Sequence, residues 1–153
     1  MVVGHFYFLR SEYFEKFPST NLMNNHPAET GLHNRPYFIA FKENENVFWA
    51  VPISSKVRKF ADMYARKVAR HKRCDTIDFC DILGRKKAVL IQNMIPVSDE
   101  YVLNEYADPN DNPVQIGHKD NKRIVRKAKK VLELQRKGYD LIFGDVFEIL
   151  KLL

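Results

Sequence analysis

The chain has 153 residues, the length of one domain, and its 45% hydrophobic and 12% aromatic content supports a core and argues against disorder along most of it. No uninterrupted apolar run exceeds five residues, as at Val47 to Val51, whereas a membrane-spanning helix needs roughly twenty, so membrane spanning is excluded. Lys and Arg number 25 against 19 Asp and Glu, a formal charge of +6 that is unevenly placed along the chain.

Val2 to Leu9 is apolar and aromatic with some alternation, the pattern of a strand. Pro18 to Pro36 carries Asn21, Asn24, Asn25, Pro27, Gly31 and Asn34 with few large apolar residues, which predicts a long surface loop. Tyr37 to Phe41 and Val47 to Ile53 flank the polar turn Glu43-Asn44-Glu45-Asn46, which predicts a hairpin. Ser54 and Ser55 close it and open a helix in which Phe60, Met63, Tyr64, Val68 and His71 share a core face, while Arg66, Arg70 and Arg73 lie on another. Ala88 to Gln92 reads as a short buried strand, ended by Met94-Ile95-Pro96. Ser98, followed by Asp99 and Glu100, suits a helix start.

Ala107 to Gly117 is rich in turn residues. From Lys119, a helical face runs through Ile124, Ala128, Val131, Leu132 and Gln135, with Gly138 where a C-terminal cap belongs. Phe143, Val146, Phe147 and Leu150 predict a terminal amphipathic helix docked on the core. The expected architecture is one α+β domain over residues 1–153, a small curved antiparallel sheet with three or four helices.

The opening residues Met1 to Glu12 lack a basic start and a small-residue cleavage site, so a signal peptide is not expected. Two cysteines, Cys74 and Cys80, cannot build a disulfide framework and match no usual zinc spacing. A reduced, cytoplasmic protein is expected.

The positive charge falls in two segments: eight basic residues between Lys56 and Arg73, and nine between Lys119 and Lys137. Two concentrated basic segments point to a polyanion, nucleic acid being the commonest. Solvated helix faces are the other reading of the same pattern.

Several chemistries are missing from the sequence. The six glycines form no phosphate-binding loop, and the five histidines show no paired spacing with carboxylates on one element, so no metal or other cofactor is expected. What remains is the hairpin's surroundings, Asn34-Arg35-Pro36-Tyr37 entering and Trp49-Ala50-Val51-Pro52-Ile53-Ser54-Ser55-Lys56 leaving. Hydroxyls, cations and aromatics are what a metal-independent ribonuclease requires. RNA brings its own nucleophile, the 2′-hydroxyl, and the protein must align it, move protons and stabilise phosphoryl charge. Serines can contact the phosphate, Lys and Arg can neutralise it, and Trp or Tyr can stack a base. Each residue also has a plain structural role: Ser54-Ser55 as a strand end and helix cap, Trp49 as core, Arg35 as an ordinary loop residue, Tyr13 packed on the loop that follows it.

Four blocks carry a resemblance: Phe6-Tyr7 leading to Tyr13; Asn34-Arg35-Pro36-Tyr37; Val51-Pro52-Ile53-Ser54-Ser55-Lys56; and Leu90-Ile91-Gln92-Asn93-Met94-Ile95-Pro96-Val97. In this order the sequence resembles the ToxN/AbiQ family of type III toxin–antitoxin endoribonucleases, most closely its CptN branch. The resemblance implies a compact, strongly bent antiparallel sheet or partial barrel of MazF/Kid type with surrounding helices. It implies a toxin that cleaves single-stranded cellular or phage mRNA without metal, to 2′,3′-cyclic phosphate and 5′-hydroxyl ends. It also implies roles in growth arrest or phage defence by abortive infection. The implied partner is a repeat RNA that the toxin processes into pseudoknots. These bind its basic grooves, inhibit it, and assemble with it into a closed hetero-oligomer.

Residue by residue, the resemblance assigns Tyr13 to the active-site lining, and Tyr37 to a position near one the family can fill with lysine. Ser54, Ser55 and Lys56 match a Thr/Ser-Ser pair followed by lysine, though the family commonly places a proline before that lysine and this chain does not. Lys56 is the expected phosphoryl stabiliser, with Arg58 and Lys59 as alternatives. Arg66, Arg70, Lys122, Arg123, Arg126, Lys127 and Lys130 are expected on antitoxin phosphates, with Arg35 and Trp49 on substrate RNA. The rivals are a non-catalytic module for structured RNA and a MazF-like ribonuclease with a protein antitoxin. A DNA-binding regulator fits the charge but has no helix-turn-helix signature.

Overall fold

The computed structural model describes residues 1–17, 22–23 and 35–153, so most of the loop expected over Pro18 to Pro36 lies outside the described residues. The chain runs β1 (Phe6–Leu9), α1 (Ser11–Lys16), β2 (Tyr37–Lys42), β3 (Val47–Ser54), α2 (Val57–His71), β4 (Asp78–Ile82), β5 (Arg85–Val89), β6 (Ile95–Ser98), β7 (Val102–Glu105), α3 (His118–Arg136) and α4 (Val146–Leu152). The strands form one seven-stranded antiparallel sheet in the order β4-β5-β3-β2-β1-β7, with β6 on β3 off that path. The fold is α+β as expected, and the sheet is open rather than closed into a barrel.

The β2–β3 hairpin forms for the reason its sequence advertises. Asn44 Oδ1 accepts the backbone N–H groups of Asn46 and Val47 at 2.9 and 3.0 Å, an Asx turn that sets the register. β3 is buried along its whole length, as its apolar run demands. It also divides its outer edge between two partners. Val47 to Ala50 pair with β6, whereas Ile53 and Ser54 pair with Val89 and Ala88 of β5. Pro52 lies between the two pairings, where its missing N–H costs no ladder bond, and its carbonyl accepts Leu90 N–H at 3.0 Å. This split delivers the end of β3 and the middle of β5 to the same place.

Core packing follows from the amphipathic helices. Ile124, Ala128, Val131 and Leu132 of α3 are buried in one cluster with Trp49, Phe38 and Phe6, and α4 adds Val146 and Ile149. A second, smaller cluster lies under α2, where Phe60 meets Ile77, Ala88 and Leu90. Both cysteines are free and buried.

The structure forms α1 and β6 where no element was expected, starts β1 at Phe6 rather than Val2, and departs from the expected elements at five further places. Ser98 precedes only a 3-10 turn, Asp99–Tyr101, which leads into β7 instead of a helix; three residues later the chain is extended again. Gln92 belongs to a second 3-10 turn, Ile91–Asn93, so the strand expected to reach it stops at Val89. The β4–β5 hairpin went unpredicted because its turn residues are Leu83 and Gly84, both at positive φ (51° and 79°), and leucine is a rare first residue for such a turn. His71 ends α2 exposed, not on the core face. Phe143 precedes α4 and is 47% exposed.

Candidate active site

Ser54 is the last residue of β3 and Val57 the first of α2, so Ser55 and Lys56 make the corner between strand and helix. Ser54 Oγ accepts Lys56 N–H at 3.2 Å, and Ser55 O accepts Val57 N–H at 2.9 Å. The corner is thus held by a turn on the Ser54 hydroxyl; the helix cap expected of Ser54-Ser55 does not form, since Lys56 stands at the cap position of α2 and no side chain caps its first turn. α2 then begins with no acidic residue in its first turn, and Arg58 and Lys59 lie there instead. The positive end of a 15-residue helix therefore meets cationic side chains that form no ion pair among the described residues, which favours an anion at the corner.

A cavity of about 490 Å³ opens beside this corner, lined by Phe8, Arg35, Pro36, Ile53, Ser54, Ser55, Lys56, Ile82, Lys87 and Tyr106. A second, of about 350 Å³, shares Arg35, Ser54 and Lys56 and adds Leu22, Met23, Lys59 and Phe60. The three shared residues form the boundary between the two. Arg35 is anchored there by a 2.8 Å bond from Nη1 to Ile53 O. Burial pulls its guanidinium below the ordinary arginine value, with the nearby Tyr37 opposing that shift. Ser54 is 4% exposed, whereas Ser55 is open to solvent.

Lys87, in the middle of β5, completes the cluster. Its Nζ donates to Ser55 Oγ at 2.8 Å. Sequence reasoning passed over it, and over Phe8, Ile82 and Tyr106. The only signal was the basic run Arg85-Lys86-Lys87, whose direction depends on a hairpin the sequence did not announce.

Three residues expected at the site are held in the core. Tyr13 is fully buried, donates its hydroxyl to Pro96 O at 2.7 Å and packs edge-on against Phe14, Phe17 and Tyr101. Tyr37 is fully buried and donates to Met23 O at 2.6 Å. Burial pushes both phenols above the ordinary tyrosine value, so neither releases a proton near neutral pH. Trp49 is 0% exposed with its indole N–H on Glu43 at 2.6 Å, and no ring face is left for a base.

The basic helices also divide. Arg123 places Nε and Nη2 on the Asp78 carboxylate at 2.8 and 3.1 Å and a third nitrogen on Asp120. Lys127 reaches Asp78 at 3.2 Å, and Lys130 reaches Asp75 at 2.9 Å. These three cations tie α3 to β4 and the turn before it. Lys122 and Arg126 are exposed and, with Lys119 and Lys129, form a stripe at positions 119, 122, 126 and 129 along one helix face. Among the described residues no carboxylate forms an ion pair with any of the four. On α2, Arg66 and Arg70 line a third cavity of about 700 Å³, while Lys67 is held by Thr76 and Gln92. No helix among the described residues is long and apolar enough to cross a membrane.

In sequence, no family model and no curated protein matches the chain. In structure, the chain is similar to AbiQ, a lactococcal anti-phage endoribonuclease belonging to the type III toxin–antitoxin system. The TM-score is 0.64 at 15% identity, over 91% of this chain and 89% of that one. The chain has the AbiQ fold. It is also similar, at a TM-score of 0.55 and 17% identity over 84% of this chain and 77% of the other, to a structure from a bacterial type III toxin–antitoxin system in which a non-coding RNA pseudoknot selectively inhibits the toxin. The α+β fold expected from the sequence resemblance is thus that of AbiQ, with the sheet open.

Proposed function

We propose that the protein is the toxin of a type III toxin–antitoxin system, a single-domain, metal-independent endoribonuclease cleaving single-stranded RNA in the cytoplasm. The observation that carries this reading is the meeting of Ser54, Ser55, Lys56, Arg35 and Lys87 around one cavity in a chain with the AbiQ fold. Single-stranded RNA crossing from the first cavity to the second passes over Arg35, Ser54 and Lys56. A phosphate there meets the anchored Arg35, the exposed Lys56 and the positive end of α2. The 2′-hydroxyl attacks the phosphorus, the P–O5′ bond breaks, and the products are a 2′,3′-cyclic phosphate and a 5′-hydroxyl. Lys56 and Arg35 stabilise charge on the non-bridging oxygens. Ser54 and Ser55 hydrogen-bond the phosphate and the 2′-hydroxyl. The described lining offers cations and hydroxyls rather than metal-binding carboxylates or imidazoles, which suits electrostatic stabilisation by side chains.

The antitoxin in this reading is a pseudoknot RNA derived from repeats, held by the α3 stripe and by Arg66 and Arg70 in a closed toxin–RNA hetero-oligomer. Its precedent is the pseudoknot-inhibited toxin to which this fold is similar.

The test uses purified protein with mixed single-stranded RNA in EDTA, the product ends being read by mass spectrometry. Fragments ending in cyclic phosphate are expected. RNA that stays intact yet binds with salt-sensitive affinity overturns the catalytic reading in favour of a binding module.

A further inference from the structure

Two aromatic rings line the 490 Å³ cavity and take no part in the phosphate chemistry above. Phe8 of β1 and Tyr106, which follows β7, meet with ring centroids 5.2 Å apart and planes inclined at 55°. Both are only partly buried. The pair Phe6–Phe38 meets at the same 5.2 Å, but its rings are 0% and 1% exposed, as a pair serving only the core should be. Phe8 and Tyr106 instead present apolar ring surface to a cavity that also contains Ser55 and Lys87.

The cavity therefore combines two chemistries. One part of its lining is aromatic and aliphatic, with Ile53 and Ile82 beside the rings; the other is hydroxyl and ammonium. A nucleotide has the same two halves, a flat apolar base face and an anionic phosphate joined by a sugar. The volume lies within the roughly 300–1,000 Å³ of small-ligand sites. We propose that Phe8 and Tyr106 form a stacking subsite for one unpaired nucleobase of an RNA strand whose phosphate lies at Ser55 and Lys87. The substrate class rests on the ribonuclease reading. The subsite selects single strands, because a base in a duplex is already stacked and paired and cannot enter. It tolerates all four bases, since each has a π-face.

The experiment measures binding of uncleavable 2′-deoxy hexanucleotides of A, C, G or T, and of an abasic hexamer, to the full chain. The wild-type protein is expected to bind the base-containing hexamers on the order of tenfold more tightly than the abasic one, the scale of one stacked base. Phe8→Leu and Tyr106→Leu are expected to reduce that difference, and Tyr106→Phe to keep it. The wild-type comparison needs no variant, so a misfolded substitution leaves the result readable. Equal binding of abasic and base-containing hexamers by the wild-type protein overturns the subsite, as does a difference that persists in both leucine variants. Cleavage of an all-ribo strand, measured separately, tells the two readings apart. Base-dependent binding without cleavage overturns the ribonuclease alone, and cleavage without base-dependent binding overturns the stacking subsite alone.

Discussion

Lys87 Nζ donates a 2.8 Å hydrogen bond to Ser55 Oγ, joining the middle of β5 to the corner between β3 and α2 across 32 residues of sequence. A hydroxyl that accepts from an ammonium is free to donate its own proton elsewhere, and Ser55 lines the cavity in which a phosphate oxygen would receive it. Lys87 thus fixes the role of Ser55 as donor and adds positive charge beside it. Within the proposed reaction, Ser55→Ala or Lys87→Met is expected to lower kcat by about 10² while RNA binding persists, the scale of one lost transition-state donor. Lys87→Arg is expected to recover part of the rate. Full cleavage by both Ser55→Ala and Lys87→Met would remove the pair from the mechanism.

Lys56 lies where the two cavities meet. Lys56→Ala is expected to reduce kcat by at least about 10², with a smaller effect on KM, because a charge stabiliser acts mainly where negative charge develops. Single-turnover cleavage with saturating enzyme checks this. A change confined to KM would reassign Lys56 to ground-state binding.

The division of the α3 cations is measurable in salt. Each exposed cation that neutralises a phosphate of single-stranded RNA contributes roughly 0.7 to the slope of log K against log salt. Lys122→Ala and Arg126→Ala are expected to flatten that slope by about one such increment each. Lys127→Ala is expected to change it less, because Asp78 already pairs with that ammonium. Fluorescence anisotropy with the repeat RNA over a potassium chloride series reads all three.

Asp78 is 6% exposed and accepts from Arg123, from Phe79 N–H and from Lys127. Burial alone would raise its carboxyl pKa, but the hydrogen bonds from Arg123 and Phe79 and the Lys127 charge outweigh it, and the net shift is downward. A carboxylate depressed in the folded state adds stability that is present above its unfolded pKa, about 3.9, and is lost as pH falls through the lower folded value. Asp78→Asn is expected to cost about 2 kcal/mol at pH 7. This is less than the roughly 3–5 for breaking a fully buried pair, since the Arg123 side chain is 35% exposed. Urea midpoints at pH 7, 4 and 3 should fall more steeply below pH 4 in the wild type than in the variant.

Tyr13 is an anchor of the core by geometry. Tyr13→Phe leaves Pro96 O without this donor and is expected to cost about 1–2 kcal/mol of stability. Cleavage per folded molecule should stay within a few-fold of the wild type. A loss of two orders of magnitude in fully folded Tyr13→Phe would return the phenol to the reaction.

Much of this molecule was legible in one dimension. The β2–β3 hairpin, α2, α3 and α4 are set by local rules: an Asn-containing turn between aromatic and β-branched runs, and apolar residues at helical spacing. The corner Ser54-Ser55-Lys56 was legible for the same reason, because hydroxyls at a strand-to-helix junction announce themselves. β7 was not, since Val102 to Glu105 is a short, half-polar edge strand that rests on its pairing with the distant β1. β4 and β5 were not, since their turn carries Leu83 where asparagine or glycine would have signalled a hairpin.

Composition and periodicity by themselves determined an α+β core, two basic helices and a hydroxyl-and-lysine corner. Tertiary structure decided which of those charges are free. Arg123, Lys127 and Lys130 pair with Asp78 and Asp75, 45 to 55 residues distant in the chain, while Lys122 and Arg126 on the same helix form no ion pair among the described residues. It also decided that Tyr13, Tyr37 and Trp49 are core, and that Phe8, Lys87 and Tyr106 face the cavity. The physical reason is one of range. Capping, turn chemistry and amphipathic spacing act within a few residues and are written in the local sequence. Ion pairing, burial and convergence on a cavity depend on which strands become neighbours, and here that was settled by β3 dividing its edge between β5 and β6.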